Sequence, residues 1–380
     1  MTPFYLSAFK ILRPKYEQEQ KAILEWLAKA HTQSSFSKSH SNGEEALNFK
    51  TQIYETLQRI GLGPGKIEKR GVHCKDFLHE SWEDMEIFKL SDFPRGLSLE
   101  KRMHFFSESV EEIFHSFYLD KDLPPHLIHV TCTGYSSPSG AQKLVSKRSS
   151  LKTVVTNAFH MGCYGAFPAI RIGHGFIKDS FETSVDIVHT EICSLHMNPS
   201  IHTKEQLVIE SLFADGFAKY SLTKQKEENS SFKVLALLEE IIPCSYDDMS
   251  WVCHDFGFSM HVGREVPVKI ARHLTSYLER LLSSSNLPKE EFKEKEIIFA
   301  IHPGGPKIIE QISKTLHLKP TQTKHSHHIL KHCGNMSSAT LPHIWQKILE
   351  DTEVKRGTLV ISLAFGPGLT ISGSIFQKES

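Results

Sequence analysis

Three side chains in this sequence have the types and local settings for covalent acyl chemistry: Cys163, His302 and Asn335. Cys163 sits in NAFHMGCYGAFPAIRIG, where a strand over 153–159 runs into a glycine-flanked turn and a helix follows. Gly162 and Gly165 permit the tight turn, so the thiol is expected at a helix N-terminus, facing the end of a sheet. A free thiol titrating near ~8.5 is mostly protonated at neutral pH, and ionising most of it takes roughly 2 kcal/mol. A helix terminus contributes only ~0.3–1 kcal/mol, so a second group must help, and an imidazolium is the usual one. His302, in EIIFAIHPGGPKIIEQI, is the candidate: an apolar strand ends in a turn fixed by Pro303, Gly304, Gly305 and Pro306. That is the place where open α/β sheets bind ligands. Asn335, in KHCGNMSSAT, adds an amide that donates hydrogen bonds without titrating near neutrality. Each residue alone has a plainer reading, as a small core thiol, a loop histidine and a helix start. In combination they suit acyl transfer through a thioester, followed by decarboxylative carbon–carbon bond formation at an enolate held by His and Asn. That chemistry needs neither metal nor resident cofactor. His325, His327, His328 and His332 in TKHSHHILKH offer no ordered four-ligand pattern and read as a solvated face, which removes the zinc-hydrolase alternative.

Elements to position such residues are legible along the chain. Residues 14–31 read as a helix with Ala22, Ile23, Trp26 and Leu27 on one face, 32–43 as a Ser/His-rich loop, and 44–60 as a helix halted by GLGPG. From Ser98 to Tyr118, Met103, Phe106, Val110, Ile113 and Phe117 recur at helical spacing. Strands are expected at 127–131, 153–159, 185–192, 232–238, 296–301 and 358–363, with helices at 166–178, 204–212, 263–284 and 306–316 between them. This alternation predicts an α/β protein with strands buried on both faces. GTLVISLAFGPGLTISGSIFQ reads as a hairpin closing a sheet, and the charged connector at 224–231 as the boundary between units 1–223 and 224–380. The 380 residues fit two units at ~150 residues each. Lys+Arg and Asp+Glu both total 44, so no basic excess marks a nucleic-acid binder. No apolar run approaches ~18 residues, so no membrane span is expected, and the first residues lack signal-peptide order. Seven cysteines without C-x-x-C pairs fit a reducing, cytoplasmic setting.

The motifs resemble the type III polyketide synthases, the chalcone and stilbene synthase family of the thiolase superfamily. The resemblance is carried by GCYGAFPAIR around Cys163, TEICSLH at 190–196, SLFADG at 211–216, AIHPGGP at 300–306, GNMSSA at 334–339 and FGPGLT at 365–370. HPGGP with GNMSSA is the specific part, and the first 100 residues match only loosely. The resemblance implies a five-layered αβαβα fold of two similar halves, a homodimer, and acyl-CoA and malonyl-CoA as substrates. It implies that Cys163 carries the acyl chain, that His302 and Asn335 form the decarboxylation pair, and that Phe213 is the gatekeeper between a coenzyme A tunnel and an inner cavity. Met260 stands at a second gatekeeper position. Cys132, Thr133, His196 and Trp251 fall on cavity-lining positions, with Ser337 among the substrate-binding residues. Ser137 replaces a methionine that plant members extend across the dimer interface, and Ala364 opens the AFGPG loop. Arg59, Lys66, Lys69 and Arg70 lie near the segment that holds coenzyme A phosphates, where GLGPG interrupts the helix. A flexible Met260 would admit an alkyl chain whereas Trp251 and His196 would narrow the cavity, so starter and chain length stay open.

The expected product is of pyrone, resorcinol or chalcone type. A second enzyme reading is a 3-oxoacyl synthase III-like condensing enzyme fed by an acyl carrier protein. A reading from a different class is a non-catalytic thiolase-fold binding subunit, against which the presence of all three reactive residues counts.

Overall fold

A computed structural model of the protein describes residues 4–37, 43–119, 121–178, 184–226, 230–285 and 287–379. In chain order its elements are β1 (Phe4–Leu12), β2 (Tyr16–Glu19), α1 (Gln20–Phe36), α2 (Gly43–Ile60), β3 (Lys69–Val72), α3 (Leu99–Phe117), β4 (His126–Thr131), α4 (Gly140–Lys147), β5 (Val154–Phe159), α5 (Ala166–Lys178), β6 (Ser184–Ile192) and α6 (Lys204–Leu212). There follow β7 (Asp215–Thr223), β8 (Phe232–Ile241), β9 (Met249–His254), β10 (Gly257–Val262), α7 (Val266–Ser283), α8 (Lys289–Glu294), β11 (Ile297–Ile301), α9 (Pro306–Thr315), α10 (Pro320–Cys333), α11 (Thr340–Glu350), β12 (Leu359–Gly366) and β13 (Thr370–Lys378).

Local chemistry explains most of these elements. α3 buries Phe106, Val110, Ile113 and Phe117 as its spacing predicts, with Met103 half-buried at the rim. Ser139 and Gln142 close a capping box that starts α4, and prolines open α7, α9 and α10. The final hairpin pairs Gly366 with Thr370 across its Gly-Pro-Gly turn. Two expectations shift. Residues 16–19 are extended because they pair with Lys69–Val72, so the first helix begins at Gln20 and runs on through Phe36. The loop expected at 32–43 is therefore partly helical, and residues 38–42 lie outside the described residues. The connector at 224–231 joins β7 to β8, with 227–229 likewise outside.

The described strands build one nine-stranded sheet, ordered β11-β12-β13-β8-β1-β7-β6-β4-β5, with β9–β10 and β2–β3 as separate ribbons. β1 and β8 pair antiparallel at its middle. Outward on one side come β7 and β6, each antiparallel to its inner neighbour, then β4 parallel to β6. On the other side β13, β12 and β11 repeat that succession. β5 adds a parallel strand beyond β4.

Three hydrophobic cores separate five layers. α1 to α4 pack against β4, β6 and β7 in one. α5 and α11 lie together between the two halves of the sheet in the second. α7 and α9 cover β11 to β13 in the third. Strand alternation does the sorting: Val360 and Ala364 of β12 face the central helices, and Ile361 and Leu363 face α7 and α9. This is the thiolase-like αβαβα arrangement of two similar halves.

Candidate active site

Cys163, His302 and Asn335 are delivered by different halves of the sheet. Cys163 lies in the turn between β5 and α5, enabled by Gly162 at φ +78°, a left-handed conformation that suits glycine. A Cβ on Gly162 would meet Cδ of Pro367, 2.5 Å away, so the Gly-Pro-Gly turn of the final hairpin closes directly over the cysteine turn. His302 follows β11, and its N–H donates to Leu363 O of β12 at 2.8 Å. Asn335 follows α10 through Gly334 at φ +72° and forms an isolated bridge with Phe213. Asn335 N–H donates to Leu212 O at 3.1 Å, and Ala214 N–H donates to Asn335 O at 2.8 Å.

All three line one cavity, together with Phe213, Met260 and Phe365. Neither ring nitrogen of His302 has a hydrogen-bond partner among the described residues, and neither does Asn335 Nδ2. The Asn335 carbonyl, by contrast, is occupied: Ser337 N–H donates to Oδ1 at 2.9 Å. The amide is thereby oriented with its donor end free, although His302 and Asn335 are each only 1% exposed. Such buried, unpaired donors cost stability unless a ligand supplies acceptors. The Cys163 sulfur lies 3.9 Å from Ser337 Oγ.

Burial sets the protonation states. It pushes the Cys163 thiol up to about 12, against opposing pulls from the Ser337 and Asn335 side chains, and the buried Glu191 carboxylate adds to the rise. Burial likewise pushes His302 down to about 3. At neutral pH the site therefore holds a thiol and a neutral imidazole. The imidazolium expected beside the thiol is absent from the resting state, because desolvation outweighs what a helix terminus can return. Glu191 anchors the surroundings. It accepts hydrogen bonds from Cys132 N–H at 3.0 Å, Thr133 Oγ1 at 2.7 Å and Ser338 N–H at 3.3 Å, tying the ends of β4 and β6 to the start of α11.

A second, inner cavity lies on the other side of Cys163, lined by Cys132, Thr133, Cys193, His196, Trp251, Ser337 and apolar groups from α1 and β3. Cys163, Phe213, Met249 and Met260 border both cavities, so Phe213 and Met260 stand at the passage between them. Thr133 and His196 line the inner cavity, but their polar atoms are engaged within the protein. Thr133 Oγ1 donates to Glu191 and accepts from Ile192 N–H at 2.8 Å. His196 Nδ1 accepts from Phe258 N–H at 3.0 Å, which leaves Nε2–H to donate to Thr133 O at 2.8 Å. With the rings of His196 and Phe258 stacked at 4.4 Å, this histidine pins the β9–β10 hairpin over the cavity. Trp251 does the same through Nε1–H to Cys132 O at 2.6 Å, and pairs across the hairpin with Met260.

The basic residues near GLGPG are used otherwise. Lys66 and Lys69 form exposed ion pairs with Glu310 and Glu17, and Arg70 is buried beneath Phe213. The cations that do line the outer cavity are Lys204, Arg264 and Lys307, which sequence reasoning missed. A signal existed. Each sits at or just before the positive end of a helix (α6, α7 and α9), where the macrodipole disfavours a cation unless an anion shares the site.

Residues 233–378 match the family description "Chalcone and stilbene synthases, C-terminal domain". Polyketide synthase 37 of Dictyostelium discoideum is 27% identical over 268 residues, which is 68% of this chain and 9% of that protein. The chain spans less than a tenth of the length of the two Dictyostelium polyketide synthases it matches. Type III polyketide synthase C of Arabidopsis thaliana is 26% identical over 262 residues, 67% of each chain. Among solved structures, the C-terminal type III polyketide synthase domain of a type I/III hybrid from Dictyostelium superposes with a TM-score of 0.82 at 21% identity, covering 99% of both chains. The sequence blocks, the five layers and these matches agree: residues 233–378 match the C-terminal domain of the chalcone and stilbene synthases, and the whole chain has the fold of a type III polyketide synthase domain.

Proposed function

We propose that the protein loads an acyl group from an acyl-CoA onto Cys163 and extends it with malonyl-CoA by decarboxylative condensation, giving a pyrone, resorcinol or chalcone-type product. The observation that carries this reading is the shared cavity of a thiol, an unpartnered imidazole and an unpartnered amide donor, gated by Phe213. Lys204, Arg264 and Lys307 at the outer cavity suit the phosphates of coenzyme A. Neutral His302 takes the Cys163 proton, the thiolate attacks the starter thioester, and coenzyme A leaves with that proton. Malonyl-CoA then enters, and its thioester oxygen accepts hydrogen bonds from His302 and Asn335 Nδ2. Its carboxylate departs as carbon dioxide beside the apolar ring of Phe213, which solvates the anion poorly. The resulting enolate carbon attacks the acyl thioester, the new carbon–carbon bond forms, and the Cys163 thiolate is released. The coenzyme A thioesters supply every bond change, so the reaction calls for no resident cofactor or metal.

The exposed edge of β5 suggests a homodimer. It is one of the two edge strands of the described sheet, starts at the exposed Val154 and has exposed Tyr135 and Leu151 nearby, and Ser137 lies in the adjoining surface cleft. No described helix is long and apolar enough to cross a membrane. The seven cysteines are all free, which suits the reducing cytoplasm.

Incubation with a panel of acyl-CoAs should leave an acyl adduct on Cys163, visible by mass spectrometry, and Cys163→Ala should abolish it. Loading that persists in the variant, or turnover that requires carrier-bound rather than coenzyme A-bound malonate, would overturn the proposal.

A further inference from the structure

The end of α6 is held in an unusual way. A helix leaves its last four carbonyls without intrahelical donors, and these are normally met by water or a local cap. Here Glu210 O, Ser211 O, Leu212 O and Phe213 O all receive donors from distant parts of the chain. Arg70 Nη1 donates to Glu210 O at 2.8 Å and also to Phe213 O. Gln20 Nε2 donates to Ser211 O at 2.8 Å, and Asn335 N–H donates to Leu212 O. Arg70 and Gln20 are themselves joined, Arg70 Nε–H donating to Gln20 Oε1 at 2.7 Å, and both are buried. Gln20 also donates to Leu62 O, while Leu62 N–H donates to Ser211 Oγ at 3.0 Å. The GLGPG segment, left without a role by the phosphate contacts, is thereby stapled to the same helix end.

Two residues of the proposed chemistry emerge from this unit. Phe213 is the capping residue of α6, and Asn335 is bridged to it on both sides. We infer that Arg70, buttressed by Gln20, is a positioning residue that sets Phe213 and Asn335 relative to each other. It thereby controls malonyl decarboxylation through the end of α6, from a place in the wall of the inner cavity. The inference rests on the condensing-enzyme reading for its catalytic consequence and on the hydrogen bonds alone for its structural part. A single guanidinium nitrogen spans two carbonyls a helical turn apart, and the planar fork keeps Nε on Gln20 at the same time. A lysine ammonium at this position keeps the charge facing Asp215 and Glu210 but cannot hold all three acceptors.

The test uses Arg70→Lys, with Gln20→Met as the second variant should the first fail to fold, and two readouts on the full chain. Hydrogen exchange is followed at the amides of Ala214 and Asn335, which form the bridge. It should quicken at least tenfold in either variant, and unchanged exchange in both would overturn the clamp whatever the enzyme does. Carbon dioxide release from malonyl-CoA is compared with alkylation of Cys163 by iodoacetamide. Release should fall on the order of tenfold to a hundredfold, the effect of a displacement near 1 Å, while alkylation changes less than about twofold. A parallel fall in both rates would mean general loosening and would refute the positioning role. Should the wild-type protein release no carbon dioxide, the functional reading fails, and the exchange data still decide the clamp.

Discussion

At the scale of single residues, the site is arranged around groups kept neutral. Desolvation raises Cys163 to about 12 and lowers His302 to about 3, so in the proposed function the thiolate is made during the reaction, with His302 as the proposed proton acceptor. Protonating His302 removes the acceptor, and loading therefore slows as pH falls through the pKa of that group. With this pKa near 3, the acylation rate of Cys163 should show no inflection at the ordinary histidine value of about 6.5. Stopped-time mass spectrometry of the acyl adduct from pH 5 to 9 measures it, and an acid limb centred near 6.5 would contradict the assignment. Cys163, His302 and Asn335 were legible in the sequence because each stands at a strand or helix end beside glycine. Thr133 and His196 were legible as cavity walls only. Sequence does not reveal that their hydrogen bonds are spent on Glu191, Phe258 and a backbone carbonyl. Lys204, Arg264 and Lys307 converge only through the fold, since more than a hundred residues separate the first from the last.

At the scale of elements, the periodic segments were readable and the central ones were not. α3, α5, β6 and the closing hairpin follow directly from apolar spacing and turn residues. β1 escapes because it is interrupted: Ala8 has φ +50°, and the register slips between Ser7 and Lys10. β7 escapes for a different reason. Asp215, Lys219 and Ser221 lie within a fully buried strand, so its pattern reads as polar until their partners are known. Asp186 accepts from Lys219 and Ser221, and Asp215 from Ser194 and His73. The element that most depends on one residue is the turn leading into α5. Replacing Gly162 with Ala combines a left-handed backbone, costing about 1–2 kcal/mol for an L side chain, with the 2.5 Å approach to Pro367. Gly162→Ala should lower the midpoint of thermal unfolding and slow Cys163 acylation together, since the strained turn carries the thiol. A variant as stable and as fast as wild type would show that the hairpin over the cysteine yields freely.

At the scale of the whole molecule, the two halves meet through α5 and α11, and the polar groups buried there set how stability responds to pH. Trp345 of α11 contacts Phe167, Tyr220 and Phe376 at 5.2–6.0 Å between centroids, joining a helix of one half to strands of both. Around this interior, burial holds His129, His189, His196, His302 and His343 each down to about 3. For a group whose folded pKa is depressed, the unfolded chain binds more protons, so stability falls as the medium is acidified below the unfolded value. Each such histidine contributes a slope of about 1.4 kcal/mol per pH unit below about 6.5. Two carboxylates act in the opposite sense. Asp215 is raised by burial to about 6, and Glu191 is also raised by burial, so both favour the folded state on acidification. Five groups against two leave a net loss, whereas Asp351, its carboxyl lowered chiefly by Lys324, loses its contribution only below its ordinary value of about 3.8. The protein should therefore unfold at progressively lower temperature from pH 7 to pH 5, in contrast to a protein stabilised mainly by exposed ion pairs, whose carboxylates titrate below that range. His343 lies outside the reacting groups, bonded through Nδ1 to Ala339 O at 2.8 Å, so His343→Gln should flatten the slope by about one proton. Calorimetry at half-unit pH steps reads both quantities, and a midpoint that holds constant or rises across this interval would mean that the buried histidines reach water, and hence that the layers are less tightly closed than their packing indicates.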